Sequence, residues 1–444
     1  FQIEHEISAE VEEEFSGKEA QDELKKLREE YDSSHPQNET LIYVPTEMDI
    51  NANQSDLFEG DIILTPEQWK VALDYDPENP ARRRQALTDE NYLWQPLGAP
   101  IIPYAFIPGF PEEHKQVVLD SMKFWEDRTC IKFRYGSPDD KKILVFNHNT
   151  TKCAASIGRT GGTRKLQLLD LNPDGCMFVS TITHELAHTF GADHVQSRHD
   201  RDDYILIDTA NIETGKAHNF KKDPIQMSTY GIPYEFGSNM HYGNADFAKR
   251  KGRPTIYARP EYERYHGSMS GPIATFWDTV LINRMYKCTE KCPRPIACQN
   301  NGVQDGNDCN KCFCPIGWSG TYCEKRPANA RIVNVEERAS VVQIDLNGPF
   351  NGFEEKIVIL QAPAGKRVEA MVGAFKDYEF TQCTSLGLEV LPFNDTRTAG
   401  FKFCAKPKKA KGADTFISEA NSMVLRMYRD QDYDITSLVY VRTK

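Results

Sequence analysis

Twelve cysteines, six of them between Cys292 and Cys323, set the strongest limit on how this chain can fold. An even count clustered in this way indicates disulfides, which form and persist in oxidising compartments. A stretch this short cannot build a hydrophobic core, so cross-links must hold it together. A cytosolic metal cluster is the alternative, but the cysteine spacings fit a disulfide module better. We therefore expect a secreted, extracellular protein that contains a small disulfide-rich module.

Length and charge narrow the possibilities further. The 444 residues exceed a single core of ordinary size, so about two to four domains are expected. The net charge of −12 argues against nucleic acid and membrane surfaces as partners, because both are anionic. No apolar run approaches the roughly 18 residues of a membrane-spanning helix. The chain starts at Phe1 without a signal peptide or an initiator Met, and we expect that a leader has been removed. N-glycosylation triplets agree with secretion and occur at Asn38, Asn53, Asn149 and Asn394.

Residues 1–84 form a charged segment without cysteines. Within it, ISAEVEEEFSGKEAQDELKKLREEY predicts a solvated helix, because carboxylates come early and basic residues late, as the helix dipole favours. The segment ends in PENPARRRQAL, where three arginines beside prolines predict an exposed site for cleavage after Arg84 by a trypsin- or furin-like protease. A solvated basic loop without a processing role is the alternative.

The rest of the chain divides into three parts by its sequence pattern. Residues 85–288 combine a predicted helix in VVLDSMKFWEDRT with predicted strands in KKILVFNH and KLQLLDL. They also contain a helix in FVSTITHELAHTFGADH that ends at Gly191. Residues 289–325 hold the cysteine cluster. Residues 326–444 alternate apolar and polar positions in short runs such as EKIVILQ and SLVYVR, which is the pattern of a β-sandwich.

Three histidines in HELAHTFGADH have the spacing of a metal site. His184 and His188 lie one helical turn apart on one face, so both imidazoles can reach one ion. His194 would point elsewhere if the helix continued, so the chain must turn back before it. Gly191 can adopt the left-handed backbone that this break requires. Three neutral histidines leave a fourth position for water, which is typical of a catalytic zinc site.

Glu185 follows the first of these histidines. Its expected role is that of a general base, which takes a proton from zinc-bound water and later delivers it to the leaving amine. A surface helix with incidental histidines is the alternative, and the added glycine and third histidine argue against it.

At this point the residues resemble a known family, the astacin metallopeptidases among the metzincins. The zinc motif is the main resemblance. Further segments fit the same family: R-H-D-R-D-D-Y (198–204), the S-N-M-H-Y of its Met-turn (238–242), G-R-T-G-G (158–162), the F-x-G-D of its pro-segment (58–61) and NYLWQPLGAPIIPYAF, which resembles the start of the mature enzyme. The resemblance implies an α+β metzincin catalytic domain, with two subdomains around a zinc cleft, and Zn²⁺ as the cofactor.

The resemblance also implies roles for single residues. Met240 would form a hydrophobic floor beneath the zinc, although an ordinary core methionine would pack in nearly the same way. Tyr242 would be a switchable fifth ligand that stabilises the oxyanion, and a buried structural tyrosine is the alternative. Asp61 would bind the zinc in the zymogen in place of water, and Gly60 would let the backbone pass close by.

Domain order and disulfide pairs follow from resemblance as well. Residues 289–325 resemble an EGF-like module, although its acidic calcium-binding lead-in is missing. Residues 326–444 resemble a CUB domain. The pairs implied by these families are Cys130–Cys288 and Cys153–Cys176 in the catalytic domain, Cys292–Cys309, Cys298–Cys312 and Cys314–Cys323 in the EGF-like module, and Cys383–Cys404 in the CUB-like sandwich.

These observations predict a secreted zinc endopeptidase that carries its inhibitory pro-segment. By analogy with nematode astacins of similar domain order, matrix or cuticle proteins such as collagens are the expected substrates. A catalytically silent adhesion protein that binds through its EGF-like and CUB surfaces is the alternative, and the intact zinc motif argues against it. A general digestive protease fits poorly, because accessory modules suggest targeted substrates.

Two positions depart from the family pattern. Asn244 stands soon after the Met-turn tyrosine, where some relatives carry a basic residue, and the second departure follows the third zinc histidine. In most relatives a glutamate follows the third zinc histidine and receives the buried amino terminus of the mature chain, but here that residue is Val195. Cleavage after Arg84 would place Gln85 first, and glutamine can cyclise to a neutral lactam. Both charges of the usual ion pair would then be absent together. Alternatively, Val195 only packs and the terminus pairs with Asp193 or Asp200.

Overall fold

Two separate hydrophobic cores organise this computed structural model. It describes residues 18–34, 45–54, 56–66, 68–69, 90–161, 165–222, 228–376, 380–405 and 414–444. The larger core draws on residues from Met48 to Cys288, and the smaller core on residues from Val335 to Val441. Within these described ranges, no helix is both long and apolar enough to cross a membrane.

Five α-helices lie in the described part of the chain. They are α1 (Lys18–Ser34), α2 (Glu47–Ile50), α3 (Glu112–Arg128), α4 (Val179–Phe190) and α5 (Phe276–Met285). The predicted helices around Trp125 and in the histidine motif correspond to α3 and α4. They pack against each other, and the Trp125 indole N–H donates to the Thr183 carbonyl at 3.1 Å.

Helix α1 differs from the solvated helix that its charges predicted. One face packs against a later part of the chain, where Leu24 and Leu27 are buried with Leu206 and Tyr257. The two leucines are three positions apart, so they share a face of the helix. Their burial was missed because two apolar residues among many charges form too weak a pattern to indicate a packed face.

A six-stranded sheet packs against α3 and α4 in the larger core. Its strands are β1 (Ile62–Ile63), β2 (Ile101–Phe106), β3 (Lys132–Tyr135), β4 (Ile143–Asn147), β5 (Cys153–Ser156) and β6 (Leu166–Leu171). Their spatial order is β1-β5-β6-β4-β2-β3, and only β5 and β6 run antiparallel. Strand β1 pairs Ile62 with Ala155 and Ile63 with Ser156. The segment before residue 84 therefore supplies an edge strand to this sheet.

Two short strand pairs complete the middle of the chain. Strand β7 (Ile205–Ile207) pairs antiparallel with β8 (Ile256–Ala258). Strands β9 (Val303–Gln304) and β10 (Cys312–Phe313) form a small hairpin inside the cysteine cluster. Five 3₁₀ helices lie in the described chain between residues 195 and 268.

The C-terminal part is a sandwich of two sheets around the smaller core. The first sheet contains, in spatial order, β11 (Arg331–Asn334), β13 (Glu354–Gln361), β18 (Ser422–Arg429), β15 (Leu386–Leu391) and β16 (Phe401–Phe403). The second contains β12 (Ser340–Leu346), β19 (Ile435–Thr443), β14 (Val368–Lys376) and β17 (Thr415–Ile417). The alternating runs of the sequence fall in these strands, with the apolar side chains directed inward.

All twelve cysteines are disulfide-bonded. The pairs are Cys130–Cys288, Cys153–Cys176, Cys292–Cys309, Cys298–Cys312, Cys314–Cys323 and Cys383–Cys404. The first pair ties the end of α3 to the residues that follow α5. Three pairs hold the small segment between the two cores.

Candidate metal centre and active site

Helix α4 and the turn after it position the three histidines of the motif. Gly191 ends the helix with a left-handed φ of 107°, and its N–H donates to the carbonyls of Ala187 and His188. A side chain at this φ would be strained, which is why glycine is suited to the position. The chain then reverses and brings His194 beside His184 and His188, as the spacing of the sequence requires.

The three imidazoles converge through their Nε2 atoms. Nε2 of His188 lies 3.0 Å from Nε2 of His184. The Nδ1 of His184 faces the Asn239 carbonyl at 2.6 Å, and the Nδ1 of His188 faces the Ala192 carbonyl at 2.9 Å. An Nδ1–H that donates to a carbonyl leaves the Nε2 lone pair directed at the shared point. Such outer contacts orient metal-binding histidines.

Asp61 completes the cluster from the segment before residue 84. Its Oδ2 lies 3.1 Å from Nε2 of His184 and 3.2 Å from Nε2 of His194. Candidate ligand atoms of all four residues lie within 4.8 Å of one another. Three imidazole nitrogens and one carboxylate oxygen form a donor set that suits tetrahedral Zn²⁺.

Gly60 allows this close approach of the backbone. Its φ is 84°, and a Cβ at this position would lie 2.7 Å from the Phe247 ring and 2.8 Å from the Met48 sulfur. Both the backbone angle and the contacts therefore favour glycine. This local need for glycine is the physical reason why Gly60 precedes a carboxylate that reaches the metal cluster.

Glu185 is fully buried beside the cluster. Neither of its carboxylate oxygens has a hydrogen-bond partner among the described residues. Burial, and then the charge of Asp61, raises the pKa of Glu185 well above its ordinary value. Its position beside the histidines, with both oxygens unpartnered among the described residues, suits a role in proton transfer.

Residues 238–242, the predicted Met-turn, contact the histidine cluster at several points. The Met240 carbonyl accepts the Val195 N–H at 2.8 Å, so the turn is tied to the chain immediately after His194. The ring of Tyr242 lies 4.9 Å from the His194 ring, centroid to centroid. Its hydroxyl donates to the Glu59 carbonyl of the N-terminal segment. Burial raises the pKa of Tyr242, so the phenol stays protonated and able to donate.

Glu59 is a site residue that the sequence did not single out. Its Oε2 accepts from His194 Nδ1 at 2.9 Å and from the Ser197 hydroxyl at 2.7 Å. Burial, and then the charge of Asp193, raises the pKa of Glu59 to about 7. The only available signal was its place as the variable residue of the F-x-G-D pattern.

The remaining predicted residues lie outside the cluster. Asn53, Asn149 and Asn394 are exposed, as glycosylation would require. Arg84, Gln85 and Asn38 lie outside the described residues.

The region around Val195 contains the residues that were considered as partners for the predicted mature amino terminus. Val195 is buried in the larger core, where it packs as an apolar side chain. Asp193 accepts the His194 N–H at 2.8 Å, and Asp200 pairs with Arg198. Of the two carboxylates that were considered as partners for that terminus, Asp200 is therefore already in an ion pair, whereas Asp193 accepts a backbone hydrogen bond.

Known proteins resemble the chain over most of its length. Residues 86–287 match the family model for the astacin peptidase family. Zinc metalloproteinase nas-29 of Caenorhabditis elegans is 29% identical over 447 residues, which cover 92% of this chain and 82% of the relative. Zinc metalloproteinase nas-23 of the same organism is 28% identical over 419 residues, which cover 92% and 76%.

A solved structure was also matched. It is high choriolytic enzyme 1, a hatching-enzyme zinc protease of medaka fish, Oryzias latipes. It is 29% identical and covers 45% of this chain and 97% of its own, with a TM-score of 0.41. The family match and the nematode relatives agree with the buried histidine and carboxylate cluster described above. Residues 86–287 therefore form an astacin-type zinc metalloendopeptidase domain, with the metzincin catalytic fold and Zn²⁺ as cofactor.

Proposed function

We propose that this protein is a secreted zinc endopeptidase made as a zymogen, with residues 1–84 as its pro-segment. The observation that carries the proposal is the position of the Asp61 carboxylate, within 3.2 Å of Nε2 of both His184 and His194. A carboxylate in that place occupies the position that a catalytic zinc site keeps for water or substrate. The pro-segment would therefore hold the enzyme inactive.

Once the pro-segment leaves, the chain's own residues account for peptide hydrolysis. His184, His188 and His194 would hold Zn²⁺, which would supply Lewis-acid chemistry toward water and the peptide carbonyl. Glu185 takes the proton from the attacking water and passes it to the leaving amine. Tyr242, freed from the Glu59 carbonyl, donates a hydrogen bond to the developing oxyanion.

The pairing of β1 with β5 supports the same role for the pro-segment. Extended peptides commonly bind to a protease or receptor by adding a strand to an exposed sheet edge. Here Ile62 and Ile63 occupy that edge, and the Ala155 N–H donates to the Asp61 carbonyl at 3.1 Å. A substrate strand would compete for the same backbone groups. Cleavage after Arg84 by a trypsin- or furin-like protease is the proposed release step.

The C-terminal parts are proposed to be accessory domains. Three disulfides in residues 289–325, paired first with third, second with fourth and fifth with sixth, support an EGF-like module. Two packed sheets with one disulfide in residues 326–444 support a CUB-like sandwich. Disulfide bonding of every cysteine supports secretion.

Matrix or cuticle proteins such as collagens are the proposed substrates, by analogy with relatives of similar domain order. The competing hypothesis is an adhesion protein that binds through its accessory domains and cleaves nothing. The buried Glu185 beside three convergent imidazoles supports the enzyme instead, since a binding protein has no need for a buried base.

The test compares the wild-type chain with Glu185→Gln. Both are cleaved with trypsin, loaded with zinc and incubated with a peptide library and with collagen, and the new amino termini are sequenced. We expect cleavage by the wild type and a loss of at least about a hundredfold in the variant, because an amide cannot accept the proton. Equal zinc content in the two proteins is the control. A zinc-loaded wild type that cleaves nothing would support the adhesion protein.

A further inference from the structure

The first turn of helix α4 is capped by a residue of the C-terminal sandwich. Phe178, at the N-cap position, provides no side-chain cap. Instead, Oδ2 of Asp430 accepts the Ser180 N–H at 2.8 Å, across 250 residues of sequence. Asp430 is buried, and it also engages the Val179 N–H and the Ser180 hydroxyl.

This contact bears on the active site because of what α4 carries. The first N–H groups of a helix have no partner within the helix, and a carboxylate satisfies them and interacts favourably with the helix dipole. Ser180 precedes His184 by one turn, and Glu185 is the next residue. A shift or fraying of the first turn would therefore displace both side chains.

Asp430 is held firmly by its own domain. Its N–H donates to the Ser385 carbonyl at 2.7 Å. The adjacent Arg429 is buried, and its guanidinium contacts Glu354 at 2.7 Å and the Tyr433 carbonyl at 3.1 Å. The turn that presents Asp430 is thus fixed on both sides of the residue.

The sandwich is also docked against the catalytic domain through contacts independent of Asp430. The buried Glu235 accepts the Ala399 N–H at 3.2 Å, and Lys402 donates to the Gly237 carbonyl at 3.3 Å. The rings of Tyr265 and Phe401 lie 4.7 Å apart. Several contacts of this kind define one relative orientation of the two cores. They therefore fix the position of the Asp430 carboxylate at the first turn of α4.

The same face of the sandwich reaches the zinc site itself. One small cavity is lined by His184 and Tyr242 and also by Thr384, Ser385 and Gln431 of the sandwich. Among the described residues, none from the sandwich belongs to the metal cluster. Its contribution to catalysis must therefore act through the residues that it supports.

We propose that Asp430 is a positioning residue of the active site, which holds His184 and Glu185 in place by capping helix α4. The C-terminal sandwich is then an integral part of the catalytic unit and not only a tethered substrate-binding domain. The inference takes the zinc endopeptidase of the preceding section as its starting point, and one of its readouts does not depend on hydrolysis.

The test uses the full-length chain with Asp430→Ala, Asp430→Asn and Asp432→Ala. Asp432 is exposed in the same turn and serves as the matched control. Each protein is activated with trypsin, and kcat and KM are measured on one peptide. The zinc is also replaced by cobalt, whose visible absorption reports the geometry of the ligands in active and inactive chains alike.

We expect Asp430→Ala to lower kcat at least tenfold with KM within about twofold, and to alter the cobalt spectrum. Asp430→Asn should recover most of kcat, because its amide oxygen still accepts the Ser180 N–H. Asp432→Ala should match the wild type in both measurements. If Asp430→Ala does not fold, the test rests on Asp430→Asn. We then expect the cobalt spectrum of Asp430→Asn to differ from that of the wild type, although by a smaller amount. A wild-type kcat and spectrum in Asp430→Ala, or an effect confined to KM, would overturn the proposal. If only Asp430→Asn folds, a wild-type spectrum in that variant would overturn it.

Discussion

Oδ2 of Asp61 lies 3.1 Å from Nε2 of His184, although 123 residues separate them in the chain. The next residue, Ile62, begins β1, which pairs with the sheet edge. The carboxylate is therefore held at the histidines by backbone hydrogen bonds as well as by any metal. In the proposed zymogen, ligation by Asp61 and strand pairing by Ile62 and Ile63 would act together, and separate variants can distinguish them.

Asp61→Ala in the full-length chain should give partial activity before any cleavage at Arg84. The variant removes the carboxylate but keeps β1 and the contacts of Glu59, so we expect some but not all of the activity of the trypsin-activated enzyme. Hydrolysis of a short peptide by the uncleaved chain measures it. Asp56→Ala is the control, because the pair of Asp56 with Lys152 lies at the surface. Equal latency of wild type and Asp61→Ala would show that bulk occlusion alone silences the zymogen.

Arg28→Ala should weaken the pro-segment as an inhibitor. The Arg28 guanidinium donates from Nε to Oδ2 of the buried Asp208 at 2.8 Å and makes a second contact through Nη2. A two-point pair to a buried carboxylate contributes more than an exposed pair, so we expect about a tenfold rise in the inhibition constant.

The measurement for this prediction is inhibition of the activated enzyme by the separate segment 1–84. Glu29→Ala, on the exposed side of α1, is the matched control and should inhibit like the wild type. An unchanged inhibition constant for Arg28→Ala would mean that α1 docks through Leu24 and Leu27 alone.

Docking of the pro-segment should be stronger at low pH, because it buries Asp246. Oδ1 of Asp246 accepts the Thr46 hydroxyl at 3.2 Å, and Oδ2 accepts the Gly243 N–H at 2.8 Å. Burial, and then the charges of Asp49 and Glu47, raises the pKa of Asp246 to about 8. Undocking removes these neighbours and lets the pKa fall. Docking therefore takes up a proton, and its free energy is most favourable below the undocked pKa and is lost as pH rises to about 8.

The pH dependence of inhibition by segment 1–84 checks this. One proton taken up corresponds to about a tenfold loss of affinity per pH unit, levelling off near pH 8. Glu59 also becomes buried on docking and adds its own pH dependence. The informative quantity is therefore the difference in slope between the wild-type enzyme and the variant. For the enzyme carrying Asp246→Asn, the slope of the logarithm of the inhibition constant against pH should be smaller than for the wild type. The difference should correspond to up to one proton. Identical slopes for the two enzymes would contradict the assignment.

Mature chains that begin a few residues before or after Gln85 should have similar kcat/KM. The apolar, buried Val195 stands where a charged partner for the amino terminus is expected, and Asp200 is paired with Arg198. An uncharged lactam at Gln85 would need no partner. A set of ragged chains compared on one peptide tests this. A loss beyond about tenfold, or 1.4 kcal/mol, on adding two residues would show a tightly seated terminus.

What the sequence determined by itself concerns short distances along the chain. The spacing of His184 and His188 is a property of any helix, and Gly191 marks the one place where a helix can end and return His194 to them. The alternating runs after residue 326 predicted strands for the same reason, since side-chain direction repeats every two residues. These inferences rest on local geometry and hold in any fold that forms the helix or the strand.

Only the tertiary structure decided which distant residues complete the site. Leu24 and Leu27 were predicted to face solvent, but they pack because a complementary surface at Leu206 and Tyr257 lies beside them. Glu59 reaches His194 across 135 residues, and Asp430 reaches Ser180 across 250. No periodicity relates such pairs, because their distance depends on how two sheets and several loops pack. A buried carboxylate is stable only where partners from elsewhere in the fold satisfy it, and those partners carry no signal in the local sequence.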